Sequence, residues 1–198
     1  RFGYTKEKQI SMKIKKIVNL MMGLSFSLCI FAQDDWQLVW SDEFDTDGSL
    51  NSSVWNFEQG YARNEEVQWY QSDNAVCKNG LLIIEARKEQ NRKNPLYVSG
   101  SNDWRKKREF IDYTSSSVTT AGKKEFLYGR FEVHARIPVA KGAWPAIWML
   151  PEGAAWPSGG EIDIMERLNN DSIAYQTIHT TFTLAGKEGP QRTVTHPI

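Results

Sequence analysis

The chain has 198 residues with 24 basic and 24 acidic side chains, so its formal net charge is zero, which argues against a protein that binds nucleic acid through bulk charge. Its two cysteines exclude a disulfide scaffold and a four-cysteine zinc site. Aromatic content is the unusual feature: 8 Trp, 7 Tyr and 9 Phe predict a large aromatic core, a surface on which flat ligands stack, or both.

The N-terminal segment has the layout of a secretory signal peptide. Residues 12–32 begin with three lysines, continue as a mostly apolar run and end at Ala32, a small residue where a peptidase can cut. Polar residues interrupt the run, which is short for a membrane span of roughly 20 apolar residues, so we favour a signal peptide over a membrane anchor. Residues 1–11 are interpreted as translated upstream sequence.

This interpretation predicts a protein secreted to the extracellular space or the periplasm. A lipoprotein anchored through Cys29 is the less favoured alternative, because Leu28 before it is not a small residue. Cleavage after Ala32 leaves residues 33–198 with 18 basic and 23 acidic residues, a net charge of −5, and Cys77 as the remaining cysteine. We therefore expect a monomeric domain with no internal disulfide, no stable membrane span and no nucleic-acid partner.

The part after residue 32 predicts strands rather than helices. Seven runs have period-two or β-branched character, and turn residues separate them; no stretch has a helical period over eleven residues or more. The clearest alternation puts Phe131, Val133, Ala135 and Ile137 on one face, while residues 143–150 are apolar enough for a strand buried on both faces. Many short strands predict an all-β sandwich or barrel, with strands at 37–40, 80–86, 117–120, 128–137, 143–150, 161–167 and 175–182.

Two further features of the sequence are a polar segment in the middle of the chain and the position at which the chain ends. Residues 88–112 are predicted to be a polar loop, and the four basic residues 105–108 are read as a solvated face because acids flank them. The chain stops at Ile198 soon after a predicted strand, and we expect the domain to lack its C-terminal strands.

Three acids lie close together in the predicted strand at 161–167. Glu161 and Asp163 share one face, because alternate residues of a strand point the same way. Strict alternation would turn Glu166 to the other face, and one extra residue, a β-bulge, would bring it back. Like charges along one strand face repel each other, so a purely structural role for these acids is weak.

Two glutamates facing a cleft suit glycoside hydrolysis. One attacks the anomeric carbon as a carboxylate and the other protonates the leaving oxygen, with the two carboxyl groups about 5–5.5 Å apart in a retaining enzyme. Asp163 between them can hydrogen-bond the nucleophile or tune the acid, since neighbouring acids raise the pKa of one of them. No His spacing suits a metal site, so no metal is expected in catalysis.

Residues 160–166, Gly-Glu-Ile-Asp-Ile-Met-Glu, resemble the motif of glycoside hydrolase family 16 in its bulged, laminarinase-type form. Further segments are similar to the family in the same order, so the resemblance covers about residues 36–182; they are 40–45, 63–70, 113–120, 128–132 and 144–150. The resemblance implies a β-jelly-roll sandwich of two antiparallel sheets with a concave substrate cleft, and retaining endo-hydrolysis of a β-linked polysaccharide.

The resemblance also implies roles for individual residues. Glu161 matches the nucleophile, Asp163 the assisting acid and Glu166 the acid/base. Trp156 and Trp144 match aromatic residues of the cleft, whereas Trp148 is assigned to core packing. The remaining predicted substrate-binding residues are Arg63, Asn64, Glu66 and His179.

The leading hypothesis is a secreted endo-β-1,3-glucanase that acts on laminarin or on mixed-linkage β-1,3-1,4-glucan. A galactan hydrolase of the same family, acting on agar or carrageenan, is the enzyme alternative, and Arg or Lys in the cleft would favour it. A non-catalytic β-glucan-binding module is the other alternative, against which the presence of Glu161 and Glu166 argues. No cofactor is expected for catalysis; a structural calcium is compatible with the resemblance.

Overall fold

The computed structural model describes residues 36–184 and 192–198, so the predicted signal peptide and the segment before it lie outside the described residues. The chain divides into two compact units, Arg1–Glu43 and Phe44–Ile198. In the first unit, residues 36–43 have no regular secondary structure, and Leu38 and Val39 are each 83% exposed. The strand predicted at 37–40 is therefore absent, because no ladder of hydrogen bonds to a partner strand forms there.

The second unit is built almost entirely of β-strands. Its described part contains eleven strands, a 3-10 turn at Ser72–Asn74 and a one-turn helix α1 at Thr181–Leu184. Most strands pair antiparallel, as the sequence predicts for an all-β fold. The strands are β1 (Asn56–Phe57), β2 (Gln68–Tyr70), β3 (Ala75–Cys77), β4 (Leu82–Ile84), β5 (Arg87–Lys93), β6 (Phe110–Ser115), β7 (Val118–Thr119), β8 (Ala146–Met149), β9 (Glu161–Glu166), β10 (Ile173–His179) and β11 (Arg192–Pro197).

A four-stranded antiparallel sheet in the order β11-β10-β9-β8 carries the acidic motif. A second sheet has the order β2-β6-β5, with β2 parallel to β6, and two short ribbons pair β1 with β7 and β3 with β4. In the described part of the chain, β8 is an edge of its sheet, and its residues are half-buried or exposed. The prediction that residues 143–150 form a strand buried on both faces is therefore wrong.

β5 was missed by the sequence analysis, which assigned residues 88–112 to a loop. The strand has the sequence Arg-Lys-Glu-Gln-Asn-Arg-Lys and forms an edge of its sheet. An edge strand with both faces largely solvated has no need of apolar residues, and charged side chains protect it from pairing with other chains. The irregular part of this region is residues 94–109.

The alternating segment 128–137 forms no regular strand, yet its predicted facing is correct. Phe131, Val133, Ala135 and Ile137 all line one cavity of about 470 Å³. The opposite wall comes from the four-stranded sheet, on the face turned away from the acids: Ile147, Ile164, Met165, Ala174 and Gln176. Period-two patterning thus sets which side chains share a face, whereas a ladder also requires a neighbouring strand at hydrogen-bonding distance.

The most deeply buried side chains lie away from the acid strand. Ile111 of β6 and Asn74 are 2% and 1% exposed, and Asn74 donates hydrogen bonds to the carbonyl of Glu85 and to Thr114 Oγ1. The Cys77 side chain is also buried. Within the described residues, no helix has both the length and the apolar character needed to cross a membrane.

Candidate active site

A β-bulge in β9 brings the three acids of the motif to one face of the sheet. On the β10 side, Glu161 pairs with His179 and Asp163 with Thr177, whereas Glu166 pairs with Tyr175. Three residue steps on β9 therefore match two on β10, so β9 holds one extra residue between Asp163 and Glu166. The register with β8 shifts at the same place. The bulge predicted from the sequence is present, and it restores the facing of Glu166.

Asp163 lies at the centre of this acidic face and is 4% exposed. Burial, followed by repulsion from Glu166 and Glu161, raises the pKa of Asp163 to about 6. The surroundings of Asp163 therefore hold a proton on this carboxyl more firmly than water does, and its role in tuning the two glutamates stays a prediction. Its two carboxyl neighbours are Glu161 and Glu166. The predicted glycoside hydrolysis requires one of them as a carboxylate and the other as an acid.

His179 of β10 is the basic group beside Asp163. Its Nε2 lies 3.0 Å from Asp163 Oδ2, and the His179 side chain is 18% exposed. This close contact with His179 opposes the rise in the pKa of Asp163. The structure thus brings His179 into the acid cluster.

Two indole groups donate hydrogen bonds to the two glutamates. Trp156 Nε1 donates to Glu161 Oε2 at 2.6 Å, and Trp144 Nε1 donates to Glu166 Oε1 at 2.8 Å. Both tryptophans remain about half exposed, at 55% and 50%. Each ring therefore contacts a carboxylate with its polar edge and keeps apolar surface open to solvent, where a sugar could stack.

Trp148 belongs to this face as well, which corrects its assignment to core packing. It pairs with Asp163 in the β8–β9 register and is half-buried. The guanidinium of Arg63 lies 5.1 Å from the centre of its ring. The alternation of β8 indicates this placement of Trp148. Ala146 pairs with Glu166, and Trp148 lies two residues after Ala146, past the register shift, so both side chains are on the face of the acids.

Arg63 is a cation whose charge is compensated. Its guanidinium forms an ion pair with both carboxylate oxygens of Glu58, and Ser117 Oγ donates a hydrogen bond to Glu58 Oε2 at 2.5 Å. Glu58 was not among the predicted site residues. Arg63 thus reaches the acidic face over Trp148 with a carboxylate already bound to it.

Glu66 belongs to a polar cluster with the side chains of β2. Gln68 Nε2 donates to Glu66 Oε2 and to the Tyr70 hydroxyl oxygen, both at 2.7 Å, and Tyr70 Oη donates to Glu66 Oε2 at 3.0 Å. Burial, together with the nearby Glu66 carboxylate, raises the pKa of Tyr70 to about 12, so the phenol stays protonated as a donor. The Arg63 guanidinium lies 5.9 Å from the Tyr70 ring centre, which connects this cluster to Trp148.

The basic residues 105–108 include a side chain that supports the loop carrying Arg63. Arg105 donates hydrogen bonds to the carbonyl oxygens of Tyr61 and Ala62, at 3.1 and 2.9 Å. The prediction that residues 105–108 form a solvated face therefore fails for Arg105, which is a structural support. Asn64 is exposed and has a φ of 53°, and no contact described here links its side chain to the acids; its sugar-binding role stays a prediction.

Within residues 36–184 and 192–198, no group of three or more His, Cys, Asp or Glu side chains is arranged to hold a metal ion. The structural calcium that is compatible with the resemblance stays a prediction.

The comparisons with known proteins agree on the fold and the family. The family model described as the XgeA-like catalytic GH16 domain matches residues 55–196. A beta-glucanase of Rhodothermus marinus is 41% identical over 156 residues, which are 73% of this chain and 49% of that protein. A keratan-sulfate endo-1,4-beta-galactosidase of Sphingobacterium multivorum is 36% identical over 156 residues, which are 75% of this chain and 33% of that protein.

Solved structures give the same picture. SCLam, a non-specific endo-beta-1,3(4)-glucanase, is 32% identical with a TM-score of 0.66, covering 83% of this chain and 60% of that one. A structure from work on gut-microbial endo-acting O-glycanases that initiate mucin breakdown is 36% identical with a TM-score of 0.73, covering 84% and 61%. The chain spans half or less of the length of the two relatives found by sequence, the beta-glucanase and the keratan-sulfate endo-1,4-beta-galactosidase. The predicted jelly-roll is confirmed, and the chain belongs to glycoside hydrolase family 16.

Proposed function

We propose that the domain is a retaining endo-glycosidase that hydrolyses β-1,3-glucan or mixed-linkage β-1,3-1,4-glucan. The observation that carries the proposal is the bulge in β9, which aligns Glu161, Asp163 and Glu166 on one open face. A β-1,3-glucan-binding module would need the aromatic surface but not three acids with mutual repulsion, so the arrangement favours an enzyme.

In the proposed reaction, Glu161 attacks the anomeric carbon while Glu166 gives its proton to the glycosidic oxygen. The C–O bond breaks, the reducing-end part of the chain leaves as an alcohol, and a glycosyl ester forms on Glu161. Glu166, now a carboxylate, takes a proton from water, and the water oxygen displaces Glu161 with overall retention. Asp163 lies between the two glutamates, where it can hydrogen-bond the nucleophile or tune the acid, and His179 contacts it.

A neutral glucan fits the charges of the site better than a sulfated polymer does. Arg63 is the cation that stacks over Trp148, and Glu58 already neutralises it. The acids on the same face would repel a sulfate, whereas the Trp144 and Trp156 rings offer surface for uncharged pyranose faces. The names of the beta-glucanase and SCLam support the same substrate class.

A β-galactan hydrolase is the second candidate function. The 36% identity to a keratan-sulfate endo-1,4-beta-galactosidase supports it, because that relative shares about as much sequence with the chain as several glucanases do.

Product analysis on a polysaccharide panel tests the proposal. Full-length protein would be incubated with laminarin, mixed-linkage glucan, agarose, κ-carrageenan and keratan sulfate, beside a Glu161→Gln variant of the same length. We expect oligosaccharides of retained anomeric configuration from the two glucans and none from the variant. Release from a galactan alone would replace the substrate, and glucan binding without any release would replace the enzyme by a binding module.

We also propose that the protein acts outside the cytoplasm, because residues 12–32 have the composition of a signal peptide. The N-terminal sequence of protein recovered from the medium or periplasm tests this. A terminus at Gln33 supports it, whereas a lipid-modified Cys29 would show an anchored protein.

A further inference from the structure

The two indole–carboxylate hydrogen bonds distinguish the oxygens of each glutamate. An indole N–H is a donor only, so the oxygen it contacts must be an acceptor. A carbonyl oxygen is a stronger acceptor than a hydroxyl oxygen, so in a neutral carboxyl group this contact favours the proton on the other oxygen. Trp144 contacts Oε1 of Glu166, which leaves Oε2 as the oxygen that carries the proton.

The backbone on both sides of Trp144 is fixed by the turn that follows Glu166. Asn169 N donates to the carbonyl of Ala143 at 2.8 Å, and Asn169 Oδ1 accepts from Gly142 N at 2.8 Å. Arg167 N donates to the carbonyl of Pro145 at 3.1 Å. Asn169 has a φ of 55°, a left-handed conformation that Asn tolerates better than most residues. Trp144 and Glu166 are thus held by one hydrogen-bonded frame.

We propose that Trp144 is a positioning residue of the acid/base: its indole N–H holds Oε1 of Glu166 and so keeps the transferable proton on Oε2. This inference rests on the proposed function, and it adds to the stacking role expected for Trp144. Half of the ring surface stays exposed, so the polar edge can orient Glu166 while a ring face contacts sugar. Trp156 holds Oε2 of Glu161 in the same manner and leaves Oε1 for attack.

Leaving-group dependence separates this role from stacking. Protonation matters when the leaving group is a poor one and matters little when it is a stable phenolate. Two aryl β-laminaribiosides, one with a phenyl and one with a 2,4-dinitrophenyl leaving group, present nearly the same shape to the cleft. A lost stacking contact lowers kcat/KM for both by the same factor, whereas a misoriented acid lowers it for the phenyl glycoside.

The test uses full-length protein and the Trp144→Phe variant, which keeps an aromatic ring and removes the N–H. We expect kcat/KM to fall about 10- to 100-fold for the phenyl glycoside, part of the 10²–10⁴-fold that general acid catalysis supplies, and less than about threefold for the dinitrophenyl glycoside. The matched control is Trp156→Phe, whose indole contacts the nucleophile instead. Its loss should be the same for both substrates.

A second variant keeps the inference testable if Trp144→Phe folds poorly by circular dichroism. Asn169→Ala keeps the Trp144 indole and removes the side-chain hydrogen bond to Gly142 N, so the backbone around Trp144 is held less firmly. We expect the same selective loss of kcat/KM on the phenyl glycoside, smaller than for Trp144→Phe. Equal losses on both substrates for Trp144→Phe, or for Asn169→Ala when that variant replaces it, would overturn the inference while leaving the proposed function standing. Wild-type protein that cleaves neither glycoside and no glucan would overturn both.

Discussion

At the scale of single residues, Asp163 is the group whose environment departs most from that of an ordinary side chain. It is buried beside two carboxyl groups, and only the contact with His179 opposes the resulting rise of its pKa to about 6. The folded protein therefore holds a proton on Asp163 more tightly than the unfolded chain does. The free energy of unfolding therefore falls as pH rises from 3.8 to about 6, because ionising the buried Asp163 carboxyl costs free energy in the folded protein.

The Asp163→Asn substitution should remove this dependence. The difference between 3.8 and about 6 corresponds to roughly 3 kcal/mol at most, and solvent near the open face screens part of it. We expect the variant to gain about 1–2 kcal/mol in free energy of unfolding at pH 7.5 relative to wild type, while its activity falls. Urea unfolding at pH 4, 6 and 7.5 measures this, and the gain should shrink as pH decreases.

A glutamate-to-glutamine change at an exposed position provides the control. Glu125→Gln replaces an exposed side chain away from the acid cluster, so it should change the free energy of unfolding by no more than about 0.5 kcal/mol at each pH. If Asp163→Asn lowers the free energy of unfolding by the same amount at pH 4 and pH 7.5, burial beside two carboxyl groups does not explain the raised pKa of Asp163.

At the scale of elements, the bulge in β9 determines which way Glu166 points. Without the extra residue, a glutamate four positions after Glu161 would share its face through simple alternation. Deleting Met165 produces that spacing. We expect the shortened strand to pair regularly with β10 and to keep its acids on one face.

The Met165 deletion should therefore retain measurable hydrolysis, reduced by up to about 100-fold because the carboxyl group shifts by an ångström or more. The reference is Glu166→Ala, which removes the group entirely and should lose about 10²–10⁴-fold on an unactivated glucan. Initial rates on laminarin, with folding checked by circular dichroism, compare the two. A folded deletion variant no more active than Glu166→Ala would show that the bulge does more than restore facing.

The sequence predicted the elements that carry chemistry better than those that surround them. The spacing of Glu161, Asp163 and Glu166 was enough to infer the bulge, because two like-facing acids and a third out of phase allow few strand geometries. β5 could not be found, since a solvated edge strand has no apolar period. The support that Arg105 gives to residues 61–62 is a contact across 43 or more positions, which no local pattern contains.

At the scale of the whole molecule, the four-stranded sheet separates two environments. Acids, His179 and indole edges occupy one face, and Ile147, Ile164 and Met165 line the other. Residues 128–137 cover that second face with their alternate apolar side chains although they form no ladder. The alternation in this segment thus specifies a layer of the fold rather than a hydrogen-bonding partner.

If this layer contributes to stability, substitutions in residues 128–137 should follow the alternation. Ile137→Asp places a carboxylate among the aliphatic side chains that line this cavity and should cost about 1–3 kcal/mol, because an apolar contact is lost and the charge is partly desolvated. His134→Asp, on the exposed opposite side, should stay within about 0.5 kcal/mol of wild type. Thermal unfolding measures the difference, since each kcal/mol shifts Tm by about 2–4 °C at this chain length. Equal shifts for the two variants would mean that residues 128–137 do not pack on the sheet in solution.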